Sequence, residues 1–243
     1  STFTITHAVG MKGHHSKGGS INLIGANSTV SKSKFEMVSA IVAGGAIYAT
    51  GDNINITDST FSKCNVTMKD ETGYIYGGGA IFVEGVNSLI SNCTFKQTHA
   101  QEGGVVYIHG NNATIDNSTS MMSYAKTGGA VYIQGNHAVI NNSDISMNNA
   151  TLSGGAVYIE GRYATIENSA FSNTVAKSGS SFTGNSDPTK ATPDNTNMGG
   201  AIYIGDNYAK IRNSSFTNSA AYYGCILFLQ GSKGLPNIHR NHL

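Results

Sequence analysis

The sequence predicts an all-β chain wound as a right-handed single-stranded parallel β-helix (β-solenoid) of about eight coils of 25 to 26 residues, and three observations predict it. The first is composition. Thirty glycines in 243 residues, with three prolines and no Trp, disfavour helical bundles, because Gly costs about 1 kcal/mol relative to Ala in a helix interior. The second is a repeat: a glycine pair followed by a small residue, an aliphatic and an aromatic begins at Gly44, Gly78, Gly103, Gly128, Gly154 and Gly199. Degenerate copies at Gly18 and Gly224 give successive spacings of 26, 34, 25, 25, 26, 45 and 25. The third is that the residues between the pairs fall into columns with a two-residue alternation, as in Val131-Tyr132-Ile133, which is the period of strands.

Taken in order, Phe3 and Ala8 reproduce the Phe-to-Ala spacing of later coils, so the chain enters partway through a turn. One apolar column reads Val30, Ile56, Ile90, Ile115, Ile140, Ile166 and Ile211. A second reads Phe35, Phe61, Phe95, Ser120, Ile145, Phe171 and Phe216, broken only by Ser120. A third, five residues later, reads Ala40, Val66, Ala100, Ala125, Ala150, Ala176 and Ala221. About three short strands fit each unit, and stacking at ~4.8 Å lets every coil bond to the next and bury continuous apolar columns. The paired glycines mark a sharp corner that needs positive φ. One β-helix domain over 1–243 is expected, with extra length leaving as loops near 67–77 and 177–198. The first insert, with Tyr74, Ile75 and Tyr76, is expected to fold back onto the wall; the polar second one should be mobile on the surface. Near the C-terminus Pro236 falls where the inward Ile column should be, which is expected to end the repeat.

Fifteen Lys+Arg against fourteen Asp+Glu leave a net charge of +1, too dilute for a nucleic-acid footprint or a polybasic membrane patch. No apolar run approaches the ~20 residues of a membrane span, and STFTITHAV lacks the basic start and apolar middle of a signal peptide. A soluble, mature or excised segment is expected. Cys64, Cys93 and Cys225 have neither the spacing nor the paired His of a zinc site, and encode no disulfide framework.

The strings GGAI at Gly44, Gly78 and Gly199, GGAV at Gly128 and Gly154, and the recurring INNS, IENS and IRNS segments resemble the adhesin-like surface proteins of methanogenic archaea. They also resemble the polymorphic outer-membrane proteins of chlamydiae, whose repeats carry GGA[ILV] and FxxN. The FxxN partner is present only as Ile145-Ser146-Met147-Asn148, a departure that favours the archaeal group. The likeness covers residues 1 to 230 and implies a secreted β-helix used in surface adhesion, with no catalytic residues to carry over.

Five sets of residues are candidates for function. Tyr48, Phe82, Tyr107, Tyr132, Tyr158, Tyr203 and Phe228 form one column that alternation turns outward. Two readings of this candidate ligand wall stand: rings stacked on one another to stiffen the wall under a loop, or a platform for sugar rings or a partner protein. Glu84, His109, Gln134 and Glu160 form a polar column expected to bond side chain to side chain, and Glu167 and Arg212 an exposed ion pair; neither is assigned to catalysis. Asn92, Asn117, Asn142, Asn168 and Asn213, with Asp58 before them, form an amide ladder. Nine N-x-[ST] sequons occur, and Asn112 and Asn149, outside that ladder, are the candidate glycosylation sites of a secreted protein.

These readings give a non-enzymatic extracellular, cell-surface β-helix that binds glycan or protein partners, without nucleic acid, cofactor, metal or a membrane span in this segment. A pectate-lyase-like enzyme acting on acidic polysaccharide is the first alternative and would need two carboxylates converging in a groove. A filament subunit pairing head to tail through its coil ends is the second.

Overall fold

The computed structural model describes residues 1–4, 7, 16–67, 77–177, 198–205, 208–230 and, for the backbone, 237–239. The alternating segments form strands of two to five residues, each paired in parallel with its counterpart one coil along. The fifth coil is representative, with strands Val131–Ile133, Val139–Asn141, Asp144–Ser146 and Asn149–Ser153. The first three of these belong to continuous eight-stranded walls. The first wall runs from Ile21–Leu23 to Leu227–Leu229, the second from Thr29–Ser31 to Asn237–His239, and the third from Thr2–Thr4 to Ser215–Thr217. A fourth, shorter wall is the difference from the three strands per coil that the sequence suggests; it comprises a two-stranded and a four-stranded piece.

A strand of three residues has to be followed by a bend, and the bends are single left-handed residues five positions apart. In the fifth coil these are His137, Asn142 and Met147, with φ of 58°, 49° and 54°. Gly128, the first of its pair, supplies a fourth bend at 62°. Asn is the commonest residue at the other bends because its short amide tolerates this conformation. The residues one and three places after each bend turn inward: Ala138 and Ile140, then Ser143 and Ile145, then Asn148 and Ala150, all buried. Most bends also bond to the next coil, as Asn142 N does to Glu167 O at 3.2 Å, which satisfies the backbone donor at those corners.

The inward Ile and Phe columns make the main core. Ile56, Ile90, Ile140 and Ile166 are fully buried, and Phe3, Phe35, Phe61 and Phe95 stack ring on ring at 4.7 to 4.9 Å. Ser120, which interrupts the Phe column, is accommodated by Asn148, whose Nδ2 donates to Ser120 O at 3.1 Å while its Oδ1 accepts from Ser123 N at 2.9 Å. A cavity of about 10 Å³ lies beside Ser120, where the neighbouring coils place Phe95 and Ile145. At the next corner a serine ladder joins the coils: Ser118 N donates to Ser143 Oγ at 3.3 Å, and Ser143 N to Ser169 Oγ at 3.1 Å.

Three sequence expectations need correction or relocation. Val66 and Ala100 of the Ala column lie in a separate second core, together with Val42 and Ala43. The Ile column does not end at Pro236: Ile238 pairs with Ile211, so the second wall gains another strand. Counting at a period of 25 misses this because the last connection is two residues longer. Phe3 pairs with Phe35 as the repeat requires, whereas Ala8 and most of both inserts, 68–76 and 178–197, lie outside the described residues.

Candidate functional site

The seven-ring column is stacked as a ladder with centroids 4.3 to 5.5 Å apart. Alternation turns it away from the main core, as the sequence implies, but it does not reach solvent. Tyr48, Phe82, Tyr107, Tyr132 and Tyr203 are buried, and Tyr158 and Phe228 partly so. Ile41, Val42, Ala43, Val66 and Ala100 pack over them, so the first wall has a core on each side. Each ring covers the face of the next, so between successive rings no face is free for a sugar to stack on. The ladder therefore does not present the exposed platform of the second reading.

The hydroxyls at the ring tips explain the polar column beside them. Tyr48 donates to Glu84, Tyr107 to Gln134 at 3.1 Å, Tyr132 to Glu160 and Tyr203 to Gln230, in every case one coil along. Where the next coil offers His109 the ring is Phe82, and where it offers Gly205 the Tyr158 hydroxyl bonds to that of Tyr203. Glu84, Gln134 and Glu160 thus accept from tyrosines and do not form the side-chain ladder that the sequence suggests. Burial, reinforced by the neighbouring carboxylates, pushes the Tyr48 and Tyr132 hydroxyls well above the usual phenol range, so they remain donors.

The opposite lip of this seam is supplied by the residue just before a glycine pair. Lys17 donates to the Tyr48 hydroxyl at 2.7 Å and lies 3.9 Å from Glu84, a basic-phenol-acid series. Glu102 occupies the equivalent column, in register with Gly77 and Thr127, and sits among Tyr107, Tyr132 and Glu160. Its carboxyl is raised above the ordinary 4.5 by burial and then by the Glu160 charge, against a smaller opposing pull from Lys126. An acid with a raised folded-state pKa contributes stability below its unfolded value and loses it as pH rises through the folded one. Glu102→Gln should therefore raise the denaturation midpoint at pH 7 and flatten its decline above pH 4.5. Urea melts across that range check this, and a lower midpoint at pH 7 would contradict it.

Arg212 and Glu167 form the anticipated ion pair, at 2.6 Å. The amide ladder is only partly axial. Asn117 donates to Asn92 at 3.5 Å and Asn213 to Asn168 at 3.4 Å, but Asn142 and Asn168 turn sideways to Asp116 and Asn141. Asn112, proposed as a free acceptor, lies in a second amide ladder: it bonds to Asn87 at 2.9 Å, which bonds to Asn53 at 3.1 Å. It also forms a bend with φ 58°, which no feature of its sequon reveals. Asn149 is exposed on its strand. Among the described residues the three cysteines are unpaired, and burial pushes the Cys64 and Cys93 thiols up to about 12 and about 11. Among those residues no group of three His, Cys, Asp or Glu could hold a metal ion, and no helix is long and apolar enough to cross a membrane.

The exposed aromatics and methionines are ones the sequence reading passed over. Met122, Tyr124 and Met147 are 39%, 43% and 41% exposed and cluster on the corner between the third and fourth walls, with His99 stacked on Tyr124 at 4.9 Å. A second set, His137, Tyr163 and Tyr208, stacks at 4.9 and 5.1 Å on the bend before the second wall. The second set occupies a column filled elsewhere by Asn27, Asn53, Asn87 and Asn112, and that break in column character was the available signal; the Met122 column, which also holds Met37, Lys63 and Gln97, gave no such break.

The family model for a right-handed β-helix region matches residues 79–241, well over half of the chain. With the parallel stacked walls, this places the chain in the right-handed β-helix family. No curated protein matches the sequence.

Proposed function

We propose that the chain is an extracellular, cell-surface adhesin-like module: a rigid β-helix that binds a glycan or protein partner on its outer surface and catalyses no reaction. The observation that carries this reading is the Met122, Tyr124 and Met147 patch. Large apolar side chains half exposed on adjacent coils contribute little to folding, and flexible thioethers beside a tyrosine suit an adaptable contact. The nine sequons and the likeness to methanogen adhesin-like proteins support the surface location. Glycan-array binding by the intact chain, compared with Met122→Asn/Tyr124→Gln/Met147→Asn, tests it. Asn suits the two bends, so the variant should keep its β-type spectrum and lose binding; undiminished binding would remove the patch from the proposal.

A second reading, an enzyme on acidic polysaccharide, is favoured by one observation: Glu102 and Glu160 converge on Tyr132, and Glu102 is held toward its protonated form as a general acid would be. Release of reducing ends from a uronate polymer near pH 5, lost in Glu160→Gln, would establish it.

A further inference from the structure

The outer face of the second wall, with the bend leading into it, is used by neither reading, and its charge is uneven along the axis. The second and fourth coils carry Asp52, Asp58 and Asp116; the sixth and seventh carry Arg162, Lys210 and Arg212, offset among the described residues by Glu167. The exposed Tyr163 and Tyr208 stand at the basic end, and the half-buried Val86 and Leu89 in the third coil. Strand pairing along this wall runs one to one from Thr29↔Asn55 to Arg212↔His239 without a register shift, so each column keeps its place across the face.

From this arrangement we infer that the second wall is the contact surface for a second copy of the chain, packed face to face with the two solenoid axes antiparallel. A twofold axis along the strand direction, between the fourth and fifth coils, lays the second coil of one copy on the seventh of the other and the third on the sixth. Residues of the same column then meet. Arg212 falls on Thr57 beside Asp58 of the other copy, Lys210 on Asn55 between Asp52 and Asp58, and Tyr163 on Asn87 between Val86 and Leu89. A parallel pair would instead set Asp on Asp and Arg on Arg. A polyanion would be drawn to one half of the face and repelled by the other, so two signs on one surface favour self-recognition over an acidic glycan. Lys32, on the first coil, lies outside the matched span. Six matched strands at ~4.8 Å and a width of roughly six residues give on the order of 600 Å² per partner, a little below a standard interface, so the dimer is salt-sensitive and of moderate affinity.

Sedimentation equilibrium of the intact chain at low and high salt tests the inference. The wild type should dimerise, with a dissociation constant at least about tenfold higher in 0.5 M salt. Asp52→Lys/Asp58→Lys and Lys210→Glu/Arg212→Glu should each be folded monomers, and mixing the two should restore a heterodimer. The bend at residue 58 tolerates lysine, since Lys32 and Lys63 occupy bends of the same kind, and because Asp52 accepts from Val86 N at 2.9 Å, a wild-type far-UV spectrum of that variant is the check that keeps loss of fold from confusing the result. A wild type that stays monomeric up to about 1 mM, a dimer that survives both reversals, or reversed variants that fail to pair with each other would overturn it. So would a monomer that binds heparin through Lys210 and Arg212.

Discussion

Replacing Tyr107, Tyr132 and Tyr158 together by serine should unfold the protein. Tyr107 is 1% exposed and Tyr132 6%, each ring stacks on its neighbours, and two of the three hydroxyls bond to Gln134 and Glu160. Truncating one buried aromatic costs about 3 to 5 kcal/mol. Three adjacent ones, even with non-additivity, remove an amount comparable to the whole stability of a domain, about 5 to 15 kcal/mol. Loss of the far-UV β spectrum, or a urea midpoint too low to measure, is the expected outcome. A triple variant with the wild-type midpoint would mean that the rings carry no second core. Tyr132→Phe separates packing from hydrogen bonding: it keeps the stack but strips Glu160 of its donor, and should cost about 1 to 2 kcal/mol.

Gly129→Ala should be nearly as damaging although it adds one methyl group. A Cβ at this position would lie 2.1 Å from the carbonyl oxygen of Gly155 in the next coil and 2.7 Å from the backbone of Asn149 in the fourth wall. Both neighbours are main chain and cannot rotate aside. Relief requires the coils to part, which breaks the Gly129 N to Gly154 O bond of 3.0 Å and its neighbours. A loss above about 4 kcal/mol is expected by chemical denaturation. Gly25→Ala is the control: its nearest neighbour is Ser28 Oγ at 3.9 Å, so its midpoint should change by no more than about 0.5 kcal/mol.

The coil, its period and its main core were legible because parallel stacking repeats each residue's environment once per turn. Ile56, Ile90 and Ile140 therefore announce one buried column in the bare sequence. The same logic gave the direction of Tyr132, since alternation decides which side of a strand a residue faces. It could not say what lies over that side. The cover comes from Val42, Val66 and Ala100, and their small apolar character reads equally well as facing the main core. The tyrosine partners were hidden because each bond joins residues 27 to 36 positions apart on different coils. Had the choice of Tyr or Phe been compared with the residue at Glu84, His109, Gln134 and Glu160, the pairing would have been visible. The five-residue spacing of the bends was also readable, in the runs Asn112-Asn117-Met122 and Asn168-Asn173, but it had no meaning until the left-handed φ values were known.

The seam of tyrosines bears on how the molecule yields under tension. In a solenoid whose coils touch only their neighbours, a pull on one end peels off one coil at a time, each at the same low force. Here Lys17, on the segment leading into the first coil, Tyr48 on the second and Glu84 on the third are tied in one chain of contacts, and further along Tyr132 on the fifth coil is bonded to Glu160 on the sixth. Freeing an end coil therefore disturbs two beyond it. A rod stapled in this way gives way in fewer, larger steps than one whose coils part singly.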